Sequence, residues 1–181
     1  MRNLLYLHIP TLEELWYRQK IMQDPDTMSY NKGYDMSFDA YDKKTGTIAF
    51  PKDEWEEWYT YFIDREPLRF YAYIVRKSDN AFIGEVNIHK NEGEDWYEMG
   101  VILEAKYRGM GYSEEALRLL LKHAFEELNA DSVRNDFEAE RTAALHIHLK
   151  VGFTERFREN GIIELEIGKE QYWANRLTNE K

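Results

Sequence analysis

The stretch of sequence that decides the fold is Leu103-Glu104-Ala105-Lys106-Tyr107-Arg108-Gly109-Met110-Gly111-Tyr112-Ser113-Glu114-Glu115-Ala116-Leu117. It joins a predicted strand to an amphipathic helix through a basic turn that contains two glycines. Gly109 and Gly111 allow the backbone to approach a ligand closely, and the helix that follows presents unpaired N–H groups at its positive end. Lys106 and Arg108 add mobile positive charge beside those amides. The turn is therefore predicted to bind a phosphate group.

The elements on either side of this turn follow from hydrophobic periodicity. Downstream, apolar residues recur at helical spacing over residues 117–128, which predicts a helix that begins near Tyr112. Upstream, polarity alternates over residues 96–103, which predicts a strand with Val101 and Glu98 on opposite faces. Strand, turn and helix form one predicted phosphate-binding unit.

Two other phosphate-binding motifs do not fit the spacing. A P-loop requires a lysine and a hydroxyl residue after its second glycine, and a dinucleotide-binding fingerprint requires a third glycine where Glu114 stands. The segment instead resembles the acetyl-CoA-binding motif of the GNAT N-acetyltransferase superfamily, which reads Arg/Gln-x-x-Gly-x-Gly/Ala. Arg108, Gly111 and Ser113 occupy its three specified places.

The resemblance continues downstream and covers about residues 68–168. Residues 136–138 and 141–153 look like the penultimate strand of the family and the helix after it, which ends in Gly-Phe. Within that family, the sequence most resembles the branch of ribosomal-protein-alanine and spermidine acetyltransferases. Three positions depart from the usual pattern: Ser113 replaces Gly or Ala, Arg141 replaces Asn, and His148 replaces a Tyr that protonates the departing thiolate.

The predicted elements form one α/β (α+β) domain over residues 1–181. Periodicity and turn residues predict a first strand within residues 1–10, a helix after Pro10 and a second helix from about Asp53. Each helix start carries a capping-box pair, Thr11 with Glu14 and Asp53 with Glu56. Strands at 70–76, 82–89 and 96–103 precede the turn, and a strand at 132–138, a helix at 142–150 and an antiparallel strand pair at 153–158 and 162–167 follow it.

The resemblance implies the GNAT acyl-CoA N-acyltransferase fold for this order of elements. That fold has a mixed, mostly antiparallel sheet of about seven strands, flanked by helices and splayed between strands four and five. The resemblance also implies that acetyl-CoA is the co-substrate, with its pantetheine arm in the splay and its pyrophosphate on the amides of the glycine turn. The residues predicted to contact it are Val101, Leu103, Arg108, Gly109, Met110, Gly111, Tyr112, Ser113 and Arg141. For Arg141, a salt bridge to Glu138 or Glu140 is the alternative.

Composition limits the classes of protein that remain. A chain of 181 residues fits one domain at a soft prior of about 150 residues per domain. It contains no apolar run long enough to span a membrane, and its N-terminal apolar stretch is too short for a signal peptide, so a cytoplasmic protein is expected. The absence of cysteine excludes disulfides and an acetyl-cysteine intermediate, which leaves direct acyl transfer. The formal net charge of -10 argues against nucleic-acid binding and is compatible with a cationic amine.

The need to remove a proton from the acceptor ammonium indicates which residues are catalytic. Keeping an alkyl ammonium of pKa about 10.4 neutral at pH 7 costs about 4.6 kcal/mol, so a base is needed. Glu98, on the predicted fourth strand, is the first candidate, and Glu85, Asn87 and His89 on the preceding strand come next. The alternative for Glu98 is a structural carboxylate that pairs with a neighbouring strand.

Histidines downstream of the glycine turn have two interpretations. His148 either protonates the coenzyme thiolate or is a packed histidine. His146 and His148 lie two residues apart on a predicted helix and therefore do not face each other. No metal site is expected.

The segment over residues 28–41 is the predicted acceptor site. It combines the aromatic residues Tyr30, Tyr34, Phe38 and Tyr41 with Asp35 and Asp39, a mixture that suits a cationic amine. The residues predicted to contact the acceptor are Tyr34, Asp35, Asp39 and Glu85. The alternative is an aromatic loop that packs on the second helix.

Two functions remain open from the sequence. The first is an acetyl-CoA-dependent N-acetyltransferase that acts on a primary amine of a small molecule, a polyamine, an aminoglycoside or a protein N-terminus. The second is an acyl-CoA-binding regulatory or interaction module without catalysis, which the missing Tyr at position 148 keeps open. No nucleic-acid or membrane partner is expected, and a homodimer is left open.

Overall fold

A mixed sheet forms the centre of the molecule. The structure is a computed structural model that describes residues 3–36, 39–63 and 65–179, and seven strands occur in these ranges. In chain order they are β1 (Leu5–His8), β2 (Arg69–Arg76), β3 (Ala81–His89), β4 (Trp96–Leu103), β5 (Ser132–Glu138), β6 (Thr154–Glu159) and β7 (Ile162–Gly168). Their order in the sheet is β1-β2-β3-β4-β5-β7-β6. All neighbours are antiparallel except β4 and β5, which are parallel.

Helices cover both faces of the sheet. They are α1 (Trp16–Met22), α2 (Trp55–Phe62), α3 (Tyr112–Lys122), α4 (Thr142–Val151) and α5 (Lys169–Asn179), and α3 continues into a π-helical turn at His123–Glu127. Buried residues of α1 pack with Tyr71 and Tyr73 of β2 on one face. The apolar side of α3, together with residues of α4 and α5, packs on the other face. The face under α1 and α2 is called the acceptor face below.

The sheet opens between β4 and β5, as the resemblance implied. The two strands pair only at Trp96–Ser132, Tyr97–Val133 and Glu98–Arg134. Beyond Glu98, β4 runs on to Leu103 and β5 runs on to Glu138 without pairing with each other. This opening, bordered by Met99–Leu103 and by Asn135–Glu138, is called the splay.

Helix starts differ in part from the sequence predictions. At α1, the Glu14 carboxylate accepts a hydrogen bond from the Thr11 backbone N–H at 2.8 Å, which is one half of the predicted capping box. At α2, no side chain caps the short 3-10 turn at Lys52–Glu54 or the helix itself, so the predicted Asp53–Glu56 pair is absent as a cap. Helix α5 was not predicted from the sequence. It is held by tertiary contacts, because Tyr172 stacks on Phe125 at 4.6 Å between ring centres.

Candidate active site

The glycine turn leaves the start of α3 open to a ligand. Gly109 and Gly111 have φ values of +74° and +83°, and Gly111 is the N-cap of α3. Among the described residues, no side chain caps this helix, and a Cβ atom added to Gly109 would meet no atom within 4 Å. The N–H groups of the first turn therefore remain available to an anion, where the helix dipole also favours negative charge. This arrangement fits the diphosphate of a coenzyme.

Arg108 does not supply the mobile charge that the sequence predicted. Its Nε donates to the Leu103 carbonyl at 3.2 Å, and its two terminal nitrogens donate to the carbonyls of Asp26, at 3.2 Å, and Thr27. Three backbone carbonyls converge on the guanidinium because the turn after α1 lies against the end of β4. Arg108 therefore positions the glycine turn. Lys106 is also paired, with Glu104 at 2.9 Å.

Glu98 stands at the point where β4 leaves β5. It is the last β4 residue to pair with β5, and its side chain is 47% exposed. His89, its cross-strand neighbour on β3, lies 3.5 Å from its carboxylate. The hydrogen bond with His89 lowers the pKa of Glu98, so this carboxylate is ionised at neutral pH. A proton acceptor is therefore present on the acceptor face beside the splay.

Asp136 is a second carboxylate at this place, and sequence reasoning assigned it no chemical role. It lies two residues beyond Arg134 on β5 and pairs in register with Glu164 of β7. Partial burial and the nearby charges of Glu98 and Glu164 raise the pKa of Asp136. Together these carboxylates give the acceptor face beside the splay a negative field, which attracts cations.

Glu85 lies on the acceptor face as predicted, but its charge is satisfied inside the protein. The residue is 1% exposed. Its carboxylate forms an ion pair with Arg18 and accepts a hydrogen bond from the Tyr71 hydroxyl. The Arg18 guanidinium also lies over the Trp58 ring, 4.5 Å from its centre. This arrangement favours a positioning role for Glu85 over direct contact with an acceptor.

His148 is packed within the fold. It is 7% exposed, and its Nδ1 lies 2.8 Å from the Ala144 carbonyl, to which it must donate. Its Nε2 then accepts a hydrogen bond from the Asn135 amide at 2.9 Å. Burial lowers the pKa of His148, so the ring is neutral and carries no second proton. These contacts favour the packed alternative over the proton-donor prediction.

The segment after α1 contacts both sides of the splay. On the β4 side its carbonyls bind Arg108, as described above. On the β5 side the Tyr34 hydroxyl donates to Glu140 at 2.9 Å, and the Arg141 guanidinium lies 4.9 Å from the centre of the Tyr30 ring. Arg141 also pairs with Glu138 at 3.5 Å, which is the salt-bridge alternative.

The predicted acidic residues of this segment are exposed. Asp35 pairs with Lys43 at 2.5 Å, and Asp39 lies at the surface. Phe38 lies outside the described residues. The segment therefore brings Tyr30 and Tyr34 to the splay and leaves Asp35 and Asp39 facing solvent.

A sheet that opens between two parallel strands beside an uncapped helix is the architecture of an acyl-CoA N-acyltransferase. Residues 5–154 match the Acetyltransferase (GNAT) domain, and the chain belongs to this family. The curated relative YnaD, an uncharacterized N-acetyltransferase of Bacillus subtilis (strain 168), is 25% identical over 100 residues, which span 55% of this chain and 56% of that protein.

Two solved structures share the fold. A spermidine N-acetyltransferase from Vibrio cholerae in complex with CoA and spermine has a TM-score of 0.73 at 19% identity, covering 95% of this chain and 99% of that chain. A GNAT-family acetyltransferase from Bacillus anthracis has a TM-score of 0.70 at 17% identity, covering 94% and 98%. These comparisons confirm the family and the fold predicted from the glycine motif.

The described ranges contain neither a candidate membrane span nor a metal-binding cluster. None of the helices in these ranges combines the length and the apolar character needed to cross a membrane. Nor do the described histidine and carboxylate side chains form a group of three or more suited to a metal ion.

Proposed function

We propose that this protein is an acetyl-CoA-dependent N-acetyltransferase that moves an acetyl group directly to a primary amine of a cationic acceptor. The observation that carries the proposal is the uncapped start of α3 beside the splay, in a chain of the GNAT family. The spermidine N-acetyltransferase of similar fold supports a polyamine as the first acceptor to test.

The glycine turn and the splay suit the two ends of acetyl-CoA. The N–H groups at Gly109–Ser113 would hold the diphosphate. The β5-facing backbone groups of β4 at Met99–Leu103 have no strand partner, and the amides of a pantetheine arm would satisfy them. Val101 and Leu103 would then contact the arm through their backbone, because their side chains pack on the α3 side of the sheet. Arg108 would hold the glycine turn at a fixed position relative to the end of β4.

The acceptor amine would approach from the acceptor face. The carboxylates of Glu98 and Asp136 attract an ammonium there, and one of them must accept its proton before the nitrogen can attack. Glu98 stays the first candidate for the base because it lies where β4 and β5 separate. Asp136 is the second, since its raised pKa makes it the stronger base. Tyr34 and Asp39 of the segment after α1 would contact the distal part of the acceptor.

Thiol release in the presence of a panel of amines tests the proposal. The panel contains spermidine, an aminoglycoside, a peptide with a free N-terminus, and a taurine-like amine that carries an anionic group. We expect release with at least one cationic amine and none with the anionic amine, because the acceptor face repels negative charge. A protein that binds acetyl-CoA tightly but acetylates no amine would instead be the non-catalytic acyl-CoA-binding module.

The cytoplasmic location expected from the sequence stays a prediction, and the homodimer stays open. The organisation of residues 1–181 as one domain is likewise a prediction.

A further inference from the structure

We propose that the hydroxyl of Tyr30 is the proton donor to the sulfur of the departing coenzyme. The inference rests on the proposed function and adds to it a catalytic residue from the segment after α1. The juxtaposition behind it is a tyrosine beside the ends of β4 and β5, with a hydroxyl that donates to no oxygen of the described residues.

The reaction needs such a donor. After Glu98 or Asp136 has taken one proton from the ammonium, the nitrogen bonds to the acetyl carbon, the C–S bond breaks, and its electron pair stays on sulfur. A thiol of pKa about 8.5 is protonated at neutral pH, so a positioned donor stabilises the departing sulfur. The phenol proton goes to sulfur. The second proton lost by nitrogen returns to the phenolate through water. The first proton, held by Glu98 or Asp136, is released to solvent.

His148 is not arranged for this step. Its single ring proton is donated to the Ala144 carbonyl, and its other nitrogen accepts from Asn135. Because burial keeps the ring neutral, its one proton stays in the hydrogen bond to Ala144 and no second proton is present to deliver. The donor must come from another element.

Tyr30 lies at the mouth of the splay. Its ring is 4.9 Å from the Arg141 guanidinium, which follows β5, and it packs against the cluster under α1 and α2. Its hydroxyl lies within electrostatic range of Glu85 on β3, Arg18 on α1 and Arg108 after β4. The ring contact with Arg141 and the packing under α1 and α2 place the Tyr30 side chain on the acceptor face beside the end of β5, where the thioester could reach it.

The proton of Tyr30 is available for transfer. Within residues 3–36, 39–63 and 65–179, its hydroxyl donates only to the Met28 sulfur, at 3.8 Å, and a thioether is a weak acceptor. The neighbouring hydroxyls of Tyr34, Tyr71 and Tyr73 donate to oxygens of Glu140, Glu85 and Glu14. A coenzyme sulfur that carries negative charge would accept the Tyr30 proton better than Met28 does. Burial and the charge of Glu85 raise the pKa of Tyr30 to about 12, so the hydroxyl stays protonated at neutral pH.

Replacing Tyr30 by Phe removes the hydroxyl and keeps the ring over Arg141. The matched control is Tyr34→Phe, which removes a hydroxyl bonded to Glu140 in the same segment. For each variant we would measure kcat, the Kd of acetyl-CoA by calorimetry, and the pKa of the thiol of bound CoA from the thiolate absorbance. The last quantity needs no acceptor. A hydrogen bond from Tyr30 to sulfur stabilises the thiolate, so its removal must raise the thiol pKa.

The expected result for Tyr30→Phe is a fall in kcat of about 10²-fold or more, a Kd within about twofold of wild type, and a higher pKa for the bound thiol. Tyr34→Phe should leave the thiol titration unchanged. An unchanged titration in Tyr30→Phe overturns the inference, whatever kcat does. Failure of the wild-type protein to bind CoA overturns the proposed function as well. If wild type binds CoA but acetylates no amine, the titration still decides on Tyr30.

Discussion

Replacing Gly109 by Asp is expected to weaken coenzyme binding about 10²-fold while costing little stability. A Cβ atom at this position meets nothing within 4 Å, so the structural cost is the strain of a non-glycine residue at φ +74°. That strain is roughly 1–2 kcal/mol and lowers the Tm by about 2–8 °C in a domain of this size. A carboxylate about 5 Å from a phosphate, at an effective dielectric constant of about 20, repels it by about 3 kcal/mol. The Kd should therefore rise by about 10²-fold.

Gly161→Asp is the matched control for this variant. Gly161 lies in the turn between β6 and β7, has φ +81°, and also has open space around an added Cβ. Both variants carry the same backbone strain and the same added charge, and only Gly109 belongs to the proposed phosphate site. Calorimetry with acetyl-CoA compares them directly. Equal affinities in the two folded variants would refute the assignment of the glycine turn as the coenzyme site.

Four further changes test the rest of the site. Glu98→Gln should lower kcat about 10²–10⁴-fold at neutral pH, with partial recovery at higher pH. If Asp136 is the base instead, Asp136→Asn should show this loss of kcat. His89→Ala removes the hydrogen bond that lowers the pKa of Glu98. The acidic limb of the plot of kcat/KM against pH should therefore move to higher pH. A limb that does not move would exclude Glu98 as the base. Arg108→Ala removes a charged donor from three carbonyls, of which that of Asp26 keeps a hydrogen bond from the Ser29 hydroxyl, and should cost about 2–5 kcal/mol in urea unfolding. A loss below about 1 kcal/mol would contradict its positioning role.

The fold could be predicted where polarity alternated between clear turn residues. The bounds predicted for β4 and β5 agree with the structure, in which apolar residues of both strands lie on the α3 side of the sheet. Helix α5 could not be predicted in the same way. Its segment carries no cap or regular apolar stripe in the sequence, and its stability depends on Tyr172, which stacks on Phe125 and donates to Glu126. These partners lie more than 40 residues away in the chain.

The part of the site that is formed by contiguous backbone could be predicted from the sequence. The glycine turn and the start of α3 follow from sequence spacing alone, and the structure shows the positive φ angles expected there. Roles that depend on distant partners could not be predicted. The guanidinium of Arg108 binds carbonyls near residue 27, and the charge of Glu85 is neutralised by Arg18. For Tyr30, the signal in the sequence was only its place in an aromatic segment.

The central claim is that acetyl transfer is direct, from acetyl-CoA to a primary amine. The measurement that tests it most directly is the mass of spermidine after incubation with the protein and acetyl-CoA, together with the amount of free thiol. Acetyl transfer to the amine predicts spermidine that is heavier by one acetyl group, in amounts equal to the thiol released. Thiol release without acetylated amine, across spermidine and the rest of the amine panel, would contradict it.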